Sequence, residues 1–185
     1  MMEARKGGWC QTFTGRQFWP LDPKPEDVCV EDIAHHLSQL CRFTGASKFL
    51  YSVAEHSIRV AMEVPLEDKL WGLLNDASEA YLCDLAAPIK RCPELASYRD
   101  LEDAVQAAVC ERFGLSPGMP ASVKEADLRM LATEAIEVMA YPPASWGLEA
   151  VKPYDSHKLG WGIPPVEIKQ QFLTFFTNLA SRRLP

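Results

Sequence analysis

Apolar residues recur at i, i+3 and i+4 along most of this chain. They show little of the two-residue alternation of a half-buried strand, and that periodicity restricts the fold to packed helices. Ile33, Leu37, Leu40 and Cys41 fall on one face of a helix near 31–42, and Ala54, Ile58, Ala61 and Met62 on one face near 52–63. Leu70, Trp71, Leu74, Ala77, Ser78, Tyr81 and Leu82 continue at helical spacing, with Pro88 marking the far side. A longer stripe of Leu95, Tyr98, Leu101, Val105, Ala108, Val109 and Phe113 stops at Gly114. Ser122 with Glu125 reads as a capping box opening a helix to about 140. Pro164 and Pro165 introduce a last helix carrying Ile168, Phe172, Phe175, Phe176 and Leu179, with Arg182 and Arg183 suited to its C-terminal end. The expected fold class is all-α. A chain of 185 residues, 48% apolar and 24% charged, suits a single domain with a sizeable core.

Two segments resist this pattern. The first 25 residues read as loop, with Trp9, Phe13, Phe18 and Trp19 set between Gly and Pro. The stretch 141–165 is rich in Pro, Gly and aromatics, too apolar for a flexible linker; it suits a functional loop, a cap on the core or a subunit contact. The six cysteines are scattered without a C-x-x-C pair, which supports neither a zinc ribbon nor a thioredoxin-like motif. With no signal peptide and no apolar run of membrane-spanning length, reduced thiols in a cytoplasmic protein are expected. A net charge of -6 leaves no large electrostatic footprint for duplex nucleic acid. The expected partner is small.

The stretch 73-LLNDASEAYLCDLAAPIK-90 puts Asn75, Asp76, Glu79, Asp84 and Lys90 on one apolar, helix-like segment. Asp76 and Glu79 are three apart and share a helix face. An unpaired carboxylate among Leu73, Leu74 and Ala77 is expensive to bury, so something positive must compensate it, either an Arg or Lys or a metal ion. Two other stretches bear on the choice. In 52-SVAEHSIRVA-61, His56 lies mid-helix among apolar neighbours, and in 123-VKEADLRML-131 Asp127 does the same. Either residue alone reads as an ordinary core group. Three inward-looking ionisable groups on three helices, joined, make a metal site in the core of a bundle.

These residues carry a resemblance to the HD-domain metal-dependent phosphohydrolases, whose pattern is a His on one helix, a His-Asp pair on a second and a distant Asp on a later one. His56 matches the first His, Asp76 the Asp of the pair, and Asp127 in K-E-A-D the last Asp. D-A-S-E-A-Y-L with D-L-A-A-P-I-K resembles the branch containing bacterial deoxyribonucleoside 5'-monophosphatases. E-D-I-A-H-H-L-S with C-R-F-T-G and Y-S-V-A-E-H-S resembles phage-encoded phosphohydrolases, among them dATP triphosphohydrolases. The likeness covers about residues 15 to 140. It implies a single HD domain over 1–185, with a motif core of about 26–140, a C-terminal loop 141–163 and a helix 164–183.

This chain departs from the family at Asn75, which stands where the paired His is expected. An amide oxygen is a weaker and harder ligand than imidazole, so metal affinity falls and manganese or magnesium is better tolerated than zinc or cobalt. The adjacent His35 and His36 are poor substitutes, since neighbours on a helix cannot both face one site. Asn75 is a change introduced to trap substrate, a natural shift of metal, or a lost activity with nucleotide binding retained.

The resemblance implies a divalent cation (Co, Mn, Zn or Mg) held by His56, Asp76, Asp127 and weakly by Asn75. Glu79 and Asp76 are the expected catalytic carboxylates, with Glu79 moving the proton. For the phosphate, Arg42 matches a family arginine, and Lys90, Lys124 and Arg16 are further candidate cations. Asp84 matches a position that places the sugar, and Trp19 and Phe43 are available to flank the base. The expected function is hydrolysis of a deoxynucleotide, foremost dATP to deoxynucleoside and triphosphate, with a 5'-monophosphatase or a catalytically silent nucleotide-binding protein as alternatives. The family implies a homo-oligomer, located in the host cytoplasm if phage-encoded.

Overall fold

The computed structural model describes residues 5–142, 144–155 and 161–182. Among them the protein is mainly α-helical, with α1 Val30–Gln39, α2 Val53–Glu63, α3 Lys69–Leu73, α4 Glu79–Leu82, α5 Ala87–Lys90, α6 Ala96–Phe113, α7 Ala121–Glu137 and α8 Pro165–Ser181. None of these helices is long and apolar enough to cross a membrane. All six cysteines are free.

Helix α2 is the axis of the fold. Ser52 opens it by accepting a hydrogen bond from the Glu55 N–H at 3.2 Å, and every residue from Val53 to Ala61 is buried. A helix buried all round needs neighbours on every side, and α1, α3, α7 and α8 supply them. Val53, Ala54, Leu73, Leu74, Met130, Ile168 and Phe172 fill the space between these helices with no exposure. Gly72 lets α3 approach α2 closely, because a Cβ there would meet the Ala61 Cα at 3.0 Å.

Several boundaries differ from the sequence expectation for physical reasons. Helix α1 stops at Gln39 rather than near 42, because the chain turns extended to bridge Cys41 with Ser52; the Leu40 carbonyl accepts from Val53 N–H at 3.0 Å and Tyr51 O accepts from Arg42 N–H at 2.9 Å. The single helix expected from Leu70 to Leu82 is two short ones joined by turns at 74–78. The Gln106 side chain stabilises that break, donating to Leu74 O at 2.9 Å and accepting from Ser78 N–H at 3.2 Å. Pro88 sits in the first turn of α5 instead of closing the preceding helix, which is capped after Leu82 by Cys83 with φ 93°. The expected capping box at α7 does not form: Pro120 precedes the helix and the Ser122 hydroxyl bonds Asp68 instead. Gly114 does end α6 in the left-handed conformation, and Pro165 does open α8. Arg183 lies outside the described residues.

The N-terminal segment, expected as loop, contains a small antiparallel hairpin of β1 Cys10–Gln11 and β2 Gln17–Phe18. Strands of two residues are too short to show alternation. Side chains of α1 hold the hairpin tip: Asp32 accepts from Thr14 N–H at 2.7 Å and from its hydroxyl at 3.0 Å. Phe18, buried, stacks on Tyr81 with ring centres 4.0 Å apart.

Candidate functional site

His56 points from the middle of α2 into a cluster drawn from four segments. Its Nδ1 lies 2.6 Å from Glu134 Oε1 on α7, a carboxylate that also accepts the Tyr51 hydroxyl at 2.7 Å. Arg42 places Nη2 3.0 Å from Glu134 Oε2 and Nη1 3.6 Å from Asp76 Oδ2. On the other side of the ring, His56 Nε2 lies 3.0 Å from Asp127 Oδ1 and 3.4 Å from Asp76 Oδ2. The inner half of the cluster, His56 with Glu134, is fully buried, while the Asp127 side chain keeps 42% of its exposure. The cluster therefore opens outward past Asp127.

The i to i+3 hydrogen bonds of the turn at 74–78, including Glu79 N–H to Asp76 O at 3.0 Å, bring residues three apart onto one side. Asp76 and Glu79 thus share a face although no continuous helix carries them. Lys90 Nζ sits 3.4 Å from Glu79 Oε1 and 2.7 Å from Glu102 Oε1.

The electrostatics follow from burial and these neighbours. Burial, Asp76 and Asp84 hold the Glu79 carboxyl well above the usual range against Lys90 and Arg42. Burial, with Asp127 and Asp84, also raises Asp76 against His56 and Arg42. Burial acts to raise Asp127 and Glu134, but the charges of His56 and Arg42 outweigh it and bring both down, Glu134 to about 2. Burial and Arg42 push His56 down, yet the Glu134 and Asp127 carboxylates outweigh them and carry it up to about 10.

Polar atoms left without a partner concentrate here. Arg42 Nε, His56 Nε2, Asp76 Oδ2, Glu79 Oε2 and both amide atoms of Asn75 are buried and form no hydrogen bond. Each such group costs about 1–3 kcal/mol unless something satisfies it. His56 Nε2 lies close to two carboxylate oxygens without hydrogen-bond geometry to either. That spacing suits donors sharing an ion, since ligands about 2.1 Å from a metal stand roughly 3.0–3.4 Å apart. Among the described residues no three His, Cys, Asp or Glu side chains form a ready-made metal cage. What is present is an open set, two carboxylates facing one imidazole nitrogen with an amide beside Asp76. That donor set fits a hard divalent cation better than a soft one.

Of the residues singled out in the sequence, His56, Asp76, Asp127 and Arg42 meet in one cluster, with Glu79 and Lys90 joined to one another beside it. Asp84 acts on Asp76 and Glu79 through its charge. Lys124 is exposed, one turn before Asp127, and Arg16 is exposed in the hairpin turn. Trp19 packs under the Arg5 guanidinium, 4.2 Å from its centroid. None of these three forms a hydrogen bond, ion pair or cation–π contact with the cluster among the described residues. Phe43 does border it, with the Arg42 guanidinium 5.2 Å from its ring and Trp146 at 5.8 Å. Glu134 and Glu102 were not anticipated. Glu134 follows Asp127 by two helical turns, which puts both on one face of α7.

The fold and cluster define a mainly α-helical protein whose central histidine is held between a buried carboxylate and two outward ones. The chain belongs to the family of the uncharacterized protein YfdR of Escherichia coli (strain K12), with which it is 42% identical over 124 residues, 67% of this chain and 68% of that one. The uncharacterized protein RCAP_rcc00048 of Rhodobacter capsulatus is 34% identical over 183 residues, 90% of this chain and 93% of its own length. No family model matches the chain.

Proposed function

We propose that this protein is an HD-type metal-dependent phosphohydrolase acting on deoxynucleotides. The reading rests on the resemblance in sequence and on one observation above all: His56 Nε2, Asp76 Oδ2 and Arg42 Nε are buried without a hydrogen-bond partner in a cluster where the Asp127 side chain is 42% exposed. A divalent cation held by His56, Asp76 and Asp127, with Asn75 as a weak fourth ligand, would supply positive charge at the phosphorus centre. Arg42 orients the phosphate and offsets the charge of Asp76 and Glu134. Glu79, whose carboxyl is raised well above the ordinary range, is suited to give a proton to the leaving oxygen and take one from the attacking water.

The number of phosphates follows from the cations at hand. Arg42 and Lys90 are the cations among the candidates that the cluster gathers, and both already face carboxylates. That supply favours a monophosphate, and so a deoxyribonucleoside 5'-monophosphatase. The sequence likeness to dATP triphosphohydrolases supports the second reading, in which inorganic triphosphate is released. Asn75 supports a third, a silent nucleotide-binding protein.

A product assay separates the three. The native chain and its Asn75→His form are given deoxynucleoside mono- and triphosphates with manganese, cobalt, zinc or magnesium. Inorganic phosphate released faster by the Asn75→His form, by about 10–100-fold or more, supports the monophosphatase; inorganic triphosphate supports the second reading. Silence of both forms with a nucleotide-dependent rise in Tm leaves the binding protein. Silence with no rise in Tm overturns all three.

A further inference from the structure

A groove of about 560 Å³ runs between the N-terminal hairpin, the outer face of α1 and the 79–83 turn. Its walls include Gln11, Phe13, His35, His36, Gln39 and Glu79. Its size lies within the roughly 300–1,000 Å³ of small-molecule sites. Glu79 belongs to both the groove and the candidate site: it is among the groove's lining residues, is 7% exposed, and its buried Oε2 has no hydrogen-bond partner.

The lining specifies what kind of group fits. Among the lining residues there is no Lys or Arg, and Glu79 is the one carboxylate; the nearby Lys169 ammonium is engaged with the Phe13 ring. Both nitrogens of His36 are committed, Nδ1 lying 2.6 Å from Ala80 O and Nε2 accepting from Phe13 N–H at 3.1 Å, which fixes a neutral tautomer. Burial, with Lys169 and His36, lowers His35. Phe13 and His35 stack at 3.7 Å with planes 17° apart, and Lys169 Nζ lies over the Phe13 ring, 3.9 Å from its centroid. Gln11 and Gln39 carry amides with no recorded bond to another described residue, and an amide pairs with the edge of a nitrogen heterocycle through one donor and one acceptor. The hairpin wall is itself fixed to α1 through Asp32 and His36.

We infer that this groove seats the uncharged end of the substrate, a nucleobase with its sugar, with Gln11 and Gln39 reading the base edge and the phosphate lying beyond Glu79. The inference rests on the proposed hydrolysis of deoxynucleotides and assigns the part of the molecule remote from the scissile bond.

The test is a set of binding titrations, in manganese, of dAMP, dGMP, dCMP, dTMP and inorganic phosphate to the native chain and to Gln39→Ala, Gln11→Ala and the double variant. Both glutamines are exposed, so the fold tolerates the changes. The double variant is expected to bind its preferred deoxynucleotide about tenfold more weakly, the equivalent of one to two net hydrogen bonds, with inorganic phosphate unchanged. Equal affinity of native and double variant for every nucleotide overturns the groove while leaving the hydrolase reading intact. A parallel loss of inorganic phosphate binding overturns it too, since the glutamines then act on the phosphate end. If no nucleotide binds the native chain at all, the groove and the proposed function fall together.

Discussion

His56 Nδ1 and Glu134 Oε1 stand 2.6 Å apart with both side chains fully buried. A carboxylate there fixes the ring orientation and leaves Nε2 facing Asp76 and Asp127; in the proposed metal site it would also raise the basicity of the imidazole.

Glu134→Gln keeps the shape and removes the charge. It is expected to weaken divalent-cation binding about 10–100-fold, read by manganese titration. Glu134→Ala also strands Arg42 and His56 in the interior and is expected to cost about 3–5 kcal/mol of stability in urea unfolding. Unchanged metal affinity in Glu134→Gln would mean that the pair is only structural.

The same pair sets a pH window for the metal-free protein. Glu134 is lowered to about 2, so its contribution is present above about 4.5, its ordinary value, and is lost as pH falls toward 2. His56 is raised to about 10, so its contribution is complete below about 6.5 and is lost as pH rises toward 10. These are two ends of one interaction. The metal-free protein should have its highest Tm between about pH 4.5 and 6.5, and the plateau should flatten in Glu134→Gln.

Metal reverses the alkaline half of that profile. A ligating Nε2 must give up its proton, and His56 in the metal-free cluster holds one to about pH 10. Cation binding is therefore expected to release close to one proton at pH 8 and to tighten as pH rises, measured by calorimetry in buffers of different ionisation enthalpy. Binding that ignores pH between 6 and 9 would place the ion elsewhere.

Cys83 has φ 93° and ψ 158°, a region almost confined to glycine. Its carbonyl accepts the Tyr98 hydroxyl at 3.0 Å, a bond that needs no side chain. Cys83→Gly relieves strain of about 1–3 kcal/mol against a glycine entropy cost of about 0.5–1 kcal/mol. The expected result is a rise of about 1 kcal/mol in unfolding free energy from the balance of those two terms; a fall would show that the Cys83 side chain holds the turn.

Helix positions were legible because burial imposes the 3.6-residue period, and α6, ended by Gly114, is the clearest case. The break between α3 and α4 was not, because its cause is a side chain from elsewhere: Gln106, some thirty residues later, bonds both sides of it. The Ser122 capping box failed for the same kind of reason, Asp68 competing for the hydroxyl. At the site, His56, Asp76 and Asp127 were legible as ionisable groups in apolar settings. Glu134 was hidden beside the uncharged run of α7, although its seven-residue spacing from Asp127 carried the signal. The partner of Trp19 was not legible, because an aromatic residue in a loop says nothing of what packs on it, here Arg5.

The most direct measurement is a manganese titration of metal-free protein at pH 8 followed by electron paramagnetic resonance, on the native chain, Asn75→His and His56→Gln. One ion per native chain, tightened in Asn75→His and lost in His56→Gln, is the predicted result. No bound ion in native and Asn75→His chains alike, or equal binding in His56→Gln, would contradict the metal site at the centre of this account.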